Sequence, residues 1–146
     1  MERRFVLLEH SGYGPLHYDL MLQDGEALAT WQMQSNPLAL ARAAQAESAA
    51  KSPESGRGPL PCRRIADHRL TYLDYQGPVS RGRGAVAMLE SGHYEMLGKT
   101  ADRWRIRLAG REMIGVYEFQ RAAGAVESTG KLDVAGDWVL LRADEP

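Results

Sequence analysis

The chain has 146 residues, 44% hydrophobic and 25% charged, with a formal net charge of −1, the profile of one globular domain over residues 1–146 with enough apolar material for a core. This excludes collagen, a disordered tail and a disulfide scaffold, and the single cysteine, Cys62, leaves no internal bridge or cysteine-based zinc site. The apolar runs are too short for a transmembrane helix, and the run after Arg3-Arg4 ends at Glu9, too soon for a signal peptide, so a soluble, cytoplasmic protein is expected.

Arg4 to Leu8 is an apolar run closed by Glu9-His10, the pattern of a buried strand. Ser11-Gly12-Tyr13-Gly14-Pro15 is a turn cluster. His17 to Leu22 reads as a second strand ending at Asp24-Gly25, a hairpin signal, and Glu26 to Met33 as its partner, with Trp31 in the core. Pro37 to Ala50, rich in Ala and Leu, reads as a helix. Lys51 to Pro61, with three prolines and two glycines, reads as a mobile loop. Further strands are expected at Gly84–Glu90, His93–Leu97, Arg103–Ala109, Met113–Phe119 and Trp138–Arg142. Short strands parted by glycine-containing turns suit a barrel or a sandwich. The fold class expected is mainly β: a small closed or nearly closed β-barrel with one peripheral helix and a long Pro/Gly-rich loop.

Charge is unevenly spread. Residues 1–56 carry 4 basic and 7 acidic side chains, residues 57–111 carry 11 and 5, and residues 112–146 carry 3 and 7. The +6 middle third can meet a phosphate even on a near-neutral protein; the plainer alternative is a solvated mixed surface.

Chemistry concentrates in His10-Ser-Gly-Tyr-Gly-Pro-Leu-His17-Tyr18-Asp19. On a strand His17 and Asp19 share a face, and the intervening turn can fold His10 back beside them. Two imidazoles and a carboxylate with open positions suit manganese, zinc or ferrous iron. The alternative is a strand-end His10 with His17 and Asp19 hydrogen-bonding across a sheet. His68, near Arg63, Arg64 and Arg69, is suited to acid–base work or phosphate contact, whereas His93 reads as a surface strand residue. The arginines near Cys62 would lower its pKa, but no dedicated base accompanies it and it reads as incidental. Gly92 to Thr100 has five residues between its glycines rather than four, so it is not a phosphate loop.

Together these segments resemble the 3′-phosphoesterase domain of bacterial DNA ligase D. Arg4-Phe5-Val6-Leu7-Leu8-Glu9-His10 is similar to the family's first strand and first metal-binding histidine, and Leu16-His17-Tyr18-Asp19-Leu20 to its Leu-His-Tyr-Asp core. Trp31 stands where the family has a tryptophan after the hairpin. Asp67-His68-Arg69-Leu70-Thr71-Tyr72-Leu73-Asp74-Tyr75-Gln76-Gly77 resembles its Asp-His-Pro-Leu-x-Tyr-x-Asp-Phe-Glu-Gly segment, and Trp138 to Arg142 its closing strand. The resemblance spans almost the whole chain.

It implies a small β-barrel acting on DNA 3′ ends, removing a 3′-phosphate or a terminal ribonucleotide in end repair, with ligase or polymerase repair proteins as further partners and no membrane. His10, His17 and Asp19 would hold a divalent metal, manganese first and zinc or another transition metal second. His68 and Tyr72 would be catalytic. The chain departs from the family in a loop one residue longer between the first two histidines. Leu8, Met21 and Ala66 stand where the family carries glutamine, a phosphate-binding arginine and glutamate. Residues before Arg4 are too few for the family's N-terminal arm. Arg63, Arg64 and Arg69 are the expected phosphate-binding replacements, with Arg81 and Arg83 as further candidates. The departures motivate an alternative: a catalytically weakened module that keeps the metal and docks DNA ends or a repair partner.

Overall fold

The computed structural model describes residues 3–46, 59–121 and 137–143. Strand β1 (Arg3–Ser11) is followed by β2 (His17–Asp24) and β3 (Ala27–Met33), then helix α1 (Leu38–Ala46). The chain continues through β4 (Leu60–Arg69), a 3-10 turn (Leu70–Leu73) and a two-residue β5 (Gly77–Pro78). The remaining strands are β6 (Ala85–Lys99), β7 (Arg103–Ala109), β8 (Ile114–Arg121) and β9 (Trp138–Arg142). Strands run in the order β1-β2-β3-β4-β9-β8-β7-β6, and β6 pairs back onto β1. The expected β-barrel is therefore closed, with eight antiparallel strands, and β5 is appended to the outer edge of β6.

The expected hairpin forms across a two-residue loop, in which Gly25 takes the positive φ (67°) that primed turns demand. Asn36-Pro37 opens α1: the Asn36 carboxamide accepts the Leu38 N–H (2.9 Å), and Pro37 sits where a helix needs no donor. Residues 47–58, holding the expected helix end and most of the Pro/Gly-rich loop, lie outside the described residues. No helix among the described residues is long and apolar enough to cross a membrane.

Two expectations are corrected. The two strands expected at 84–90 and 93–97 are one continuous β6, bent by a bulge: Leu7 faces Glu90 and Leu8 faces Met88, with Leu89 unpaired between them. Strand β4 was not foreseen, because Pro59, Pro61 and a run of arginines mask its pattern.

Strand alternation sorts side chains into two clusters. Inside the barrel, Trp31 stacks on Phe119 (ring centroids 4.0 Å) and meets Trp138 and Trp104 edge-on, among Phe5, Leu7, Leu20 and Ile106. Leu38, Leu40 and Ala41 of α1 add to this cluster. The buried Glu90 carboxylate accepts the backbone N–H groups of Arg111, Glu112 and Met113, which pins the β7–β8 turn. On the outer face of the wall, Val6, Leu8, Met21, Leu28, Leu73 and Val86 form a second apolar cluster, capped by the 3-10 turn and the segment after it. Cys62 lies in the inner cluster. Burial, with the nearby Asp137 charge, pushes its thiol well above the ordinary value, the reverse of the lowering its arginine neighbours suggest.

Elsewhere on the outer surface, Glu118 is only 3% exposed and receives Arg103, Arg105 and Gln120. Burial would raise its carboxyl pKa, but these hydrogen bonds outweigh burial and hold it below the ordinary 4.5. A depressed folded pKa contributes stability that is present above 4.5 and lost as pH falls through the folded value. Glu118→Gln is expected to lower stability by about 1–2 kcal/mol at pH 7. The gap from the parent should shrink at pH 3 in urea unfolding.

Candidate metal centre

The register of β1 on β2 sets His10 opposite His17, Leu8 opposite Asp19 and Val6 opposite Met21, so all six share the outer face of the wall. The intervening loop, residues 12–16, brings the two imidazoles together, ring centroids 4.7 Å apart. One ligand atom each from His10, His17 and Asp19 fits within 4.8 Å of the others. Atoms bound to a common transition-metal ion stand about 3–4 Å apart, given bond lengths of about 2.0–2.2 Å. A small contraction therefore suffices, and the group could hold a metal ion.

Hydrogen bonding prepares the donors. A carbonyl only accepts, so His10 Nε2–H donates to Arg83 O (2.6 Å) and leaves Nδ1 for a metal. His17 Nδ1–H donates to Pro15 O (3.1 Å) and leaves Nε2, which lies 3.5 Å from Asp19 Oδ2. The other carboxylate oxygen, Asp19 Oδ1, is buried without a hydrogen-bond partner. A buried carboxylate oxygen without a donor is unfavourable unless a cation answers it. The residues present fit a metal on that ground. Asp19 raises the His17 pKa above 6.5 through its hydrogen bond, burial opposes this, and the carboxylate charge and the Pro15 carbonyl add to the rise. Metal binding therefore competes with protonation of His17.

The three residues stand at a cleft of about 490 Å³, of which His10 and Asp19 form part of the lining. The rest of the rim is built by the end of β4, the 3-10 turn and residues 79–83. A bulge in β4 decides what this rim presents. Thr30 faces Ile65 and Leu28 faces His68, so β4 spends three steps where β3 spends two. The extra residue at Ala66–Asp67 turns both Ile65 and His68 toward the cleft, which strict alternation would forbid. His68 Nδ1–H donates to Ala66 O (3.0 Å), leaving Nε2 available, and its ring meets Tyr72 edge-on (5.8 Å). Arg4 clamps the rim to β1 with a two-pronged pair to Asp74 (2.7 and 3.3 Å) and a bond to Leu73 O.

The cleft thus gathers His10, Asp19, His68, Arg69 and Tyr72 of the residues singled out above, with His17 behind Asp19. Arg63 shares the outer face, opposite Gln32, but does not line the cleft. Arg64 is turned inward, its guanidinium over the Trp31 and Trp104 rings and paired with Asp67. Arg83 takes a place at the cleft, fixed by bonds from its guanidinium to Ser80 O and Oγ. Its signal in the sequence was the Ser80-Arg-Gly-Arg-Gly84 turn. Three positive φ angles there (Arg81, Gly82 and Gly84) bring the backbone against His10. His93 is exposed on β6, as expected.

Met21 faces the cleft as alternation requires, but it is 1% exposed and packed with Val6, Leu8, Leu28 and Val86. No protein-family model matches the chain, and no curated protein matches it.

Two outcomes check this geometry. Manganese at a hundred times its Kd should stabilise the fold by about 2.7 kcal/mol, read as a rise in Tm. The rise should vanish in His17→Ala and Asp19→Asn and weaken as pH falls through the raised His17 pKa. Met21→Arg should lower Tm, because a guanidinium at this buried position costs a few kcal/mol.

Proposed function

We propose that the cleft is the site of a divalent-metal phosphoesterase acting on the 3′ ends of DNA, in the manner of the 3′-phosphoesterase domain of DNA ligase D. The observation that carries this reading is the convergence on one cleft of a His-His-Asp group, an available imidazole on His68 and two arginines, Arg69 and Arg83. His10, His17 and Asp19 would hold the ion, manganese by preference. A bound divalent ion supplies neutralisation of phosphate charge and activation of water.

The remaining chemistry belongs to the chain. Arg69 and Arg83 bind the non-bridging phosphate oxygens, each permanently charged and able to make two parallel bonds. Arg83 thereby replaces the guanidinium that the family carries where Met21 stands. His68, with Nδ1–H committed to the Ala66 carbonyl, turns Nε2 to the phosphate and, when protonated there, delivers that proton to the leaving ribose oxygen. Tyr72 packs edge-on against His68 and fixes the ring's orientation. The apolar floor of Leu8, Met21 and Val86 excludes water from the inner wall of the cleft. The substrates are a 3′-phosphomonoester and a 3′-terminal ribonucleotide, and the product is a 3′-hydroxyl ready for a polymerase or ligase.

The apolar residues at Leu8 and Met21 favour a second reading, a DNA-end-binding module without turnover. The two arginines at the cleft weigh toward catalysis, because they supply the phosphate charge that the apolar Met21 position lacks.

Purified protein with manganese should release phosphate from a primer-template ending in a 3′-phosphate, and a chelator should abolish release. Arg69→Ala and Arg83→Ala should each lower the rate by about ten- to a hundredfold, the equivalent of about 1.5–3 kcal/mol for a charged hydrogen bond. No release above the His17→Ala level, with manganese, zinc or ferrous iron and with DNA or RNA ends, would overturn the catalytic reading. Manganese-dependent binding of the 3′-phosphate end without turnover would establish the second one.

A further inference from the structure

The loop between the two histidines holds Tyr13, more than half exposed (54%) and lining the cleft. Among the described residues it is the one aromatic side chain left mostly open to solvent; the other tyrosines, tryptophans and phenylalanines are buried or half-buried. Its backbone is held on both sides. Gly12 (φ 82°) and Gly14 (φ 70°) bend the chain, and Gly12 lies so close to the Gly84 backbone that a Cβ there would come within 3.2 Å. The Tyr13 ring stands nearly parallel to the His10 ring, at 20° with centroids 6.3 Å apart. An aromatic face is thus presented to water beside the His-His-Asp group, in a cleft that also carries Arg69 and Arg83.

Packing does not explain this placement, since Tyr13 belongs to neither apolar cluster. A planar π-surface beside cationic, anion-binding groups matches a ligand that joins a phosphate to a flat ring. The end of a nucleic-acid strand is such a ligand, with one sugar between its terminal phosphate and its base. We infer that Tyr13 is the stacking platform for the base of the 3′-terminal nucleotide, and that it selects strand ends that carry a base over abasic ends. This rests on the phosphoesterase reading for the placement of the phosphate. Base–aromatic stacking tolerates any of the bases, because each has a π-face. Selectivity for a base should therefore come without selectivity for sequence.

The test uses the full chain with manganese and oligonucleotides ending in a nonhydrolysable 3′-phosphonate, one with 2-aminopurine as its last base and one with an abasic last nucleotide. Binding of the first to the parent protein should quench 2-aminopurine fluorescence. Tyr13→Phe should keep the quench, whereas Tyr13→Ala should lose it and bind about tenfold more weakly. The abasic strand should bind all three proteins alike. The manganese-induced rise in Tm, unchanged in Tyr13→Ala, certifies that fold and metal group are intact.

Equal quench and affinity in Tyr13→Ala, or equal binding of abasic and base-bearing ends by the parent, would overturn the stacking role. Quenching that depends on Tyr13, without phosphate release from the hydrolysable 3′-phosphate strand, would overturn the phosphoesterase reading and leave the platform standing. Phosphate release together with quench and affinity that are indifferent to Tyr13 would do the opposite. A parent protein that neither binds nor releases would overturn both.

Discussion

The structure depends on the register of β1 between its two partners. Phe5 and Leu7 point into the barrel and complete the aromatic core; Val6, Leu8 and His10 point outward. A slip of one residue against β2 would turn the imidazole inward and the phenylalanine out, exchanging the two faces at once. Pairing on the other side adds a second check, because β6 carries its bulge at Leu89 so that Glu90 meets Leu7 while Met88 meets Leu8. The same strand therefore closes the barrel and presents the first histidine. Stability and site geometry cannot be separated along it.

On the outer face, three imidazoles are oriented by one device. His10, His17 and His68 each give one ring nitrogen to a backbone carbonyl, of Arg83, Pro15 and Ala66 respectively. Carbonyls fixed in turns and bulges do not ionise and have no rotamers, so each tautomer is set by the fold. The carboxylate differs. One Asp19 oxygen, Oδ2, lies 3.5 Å from His17 Nε2, and the other, Oδ1, is buried without a hydrogen-bond partner, so the group's unmet electrostatic demand is concentrated on a single atom.

The fold class was legible because short apolar runs and glycine turns are local signals, as in Phe5–Leu8 and Asp24-Gly25. The His10/His17/Asp19 group was legible for the same reason: a hairpin places those residues together by local geometry alone. Strand β4 was not, since Pro61 and its arginines break the alternation and its pairing with β3 and β9 is long-range. The bulge at Ala66–Asp67 changes which of two neighbouring arginines faces out, and residue type carries no trace of that. Arg63 and Arg64 are adjacent, yet one shares the face of Asp19 and the other lies over Trp31. Arg83 approaches His10 from more than seventy positions away, a proximity that only tertiary packing creates.

The contact of the Ser11–Gly12 backbone with Gly84 bears on how this site can change over time. A Cβ on Gly84 would fall 2.0 Å from Ser11 O, and its φ of 79° already disfavours any side chain. Main chain meets main chain there, with nothing flexible between them to absorb an alteration. The histidine loop and the Arg83 turn are thus coupled in structure although they lie far apart in the sequence. A change of length in the loop after His10 has to be answered by a change in the turn before Ala85. Homologous chains should vary these two segments together, and a loop transplanted without its matching turn would arrive with its first imidazole unsupported.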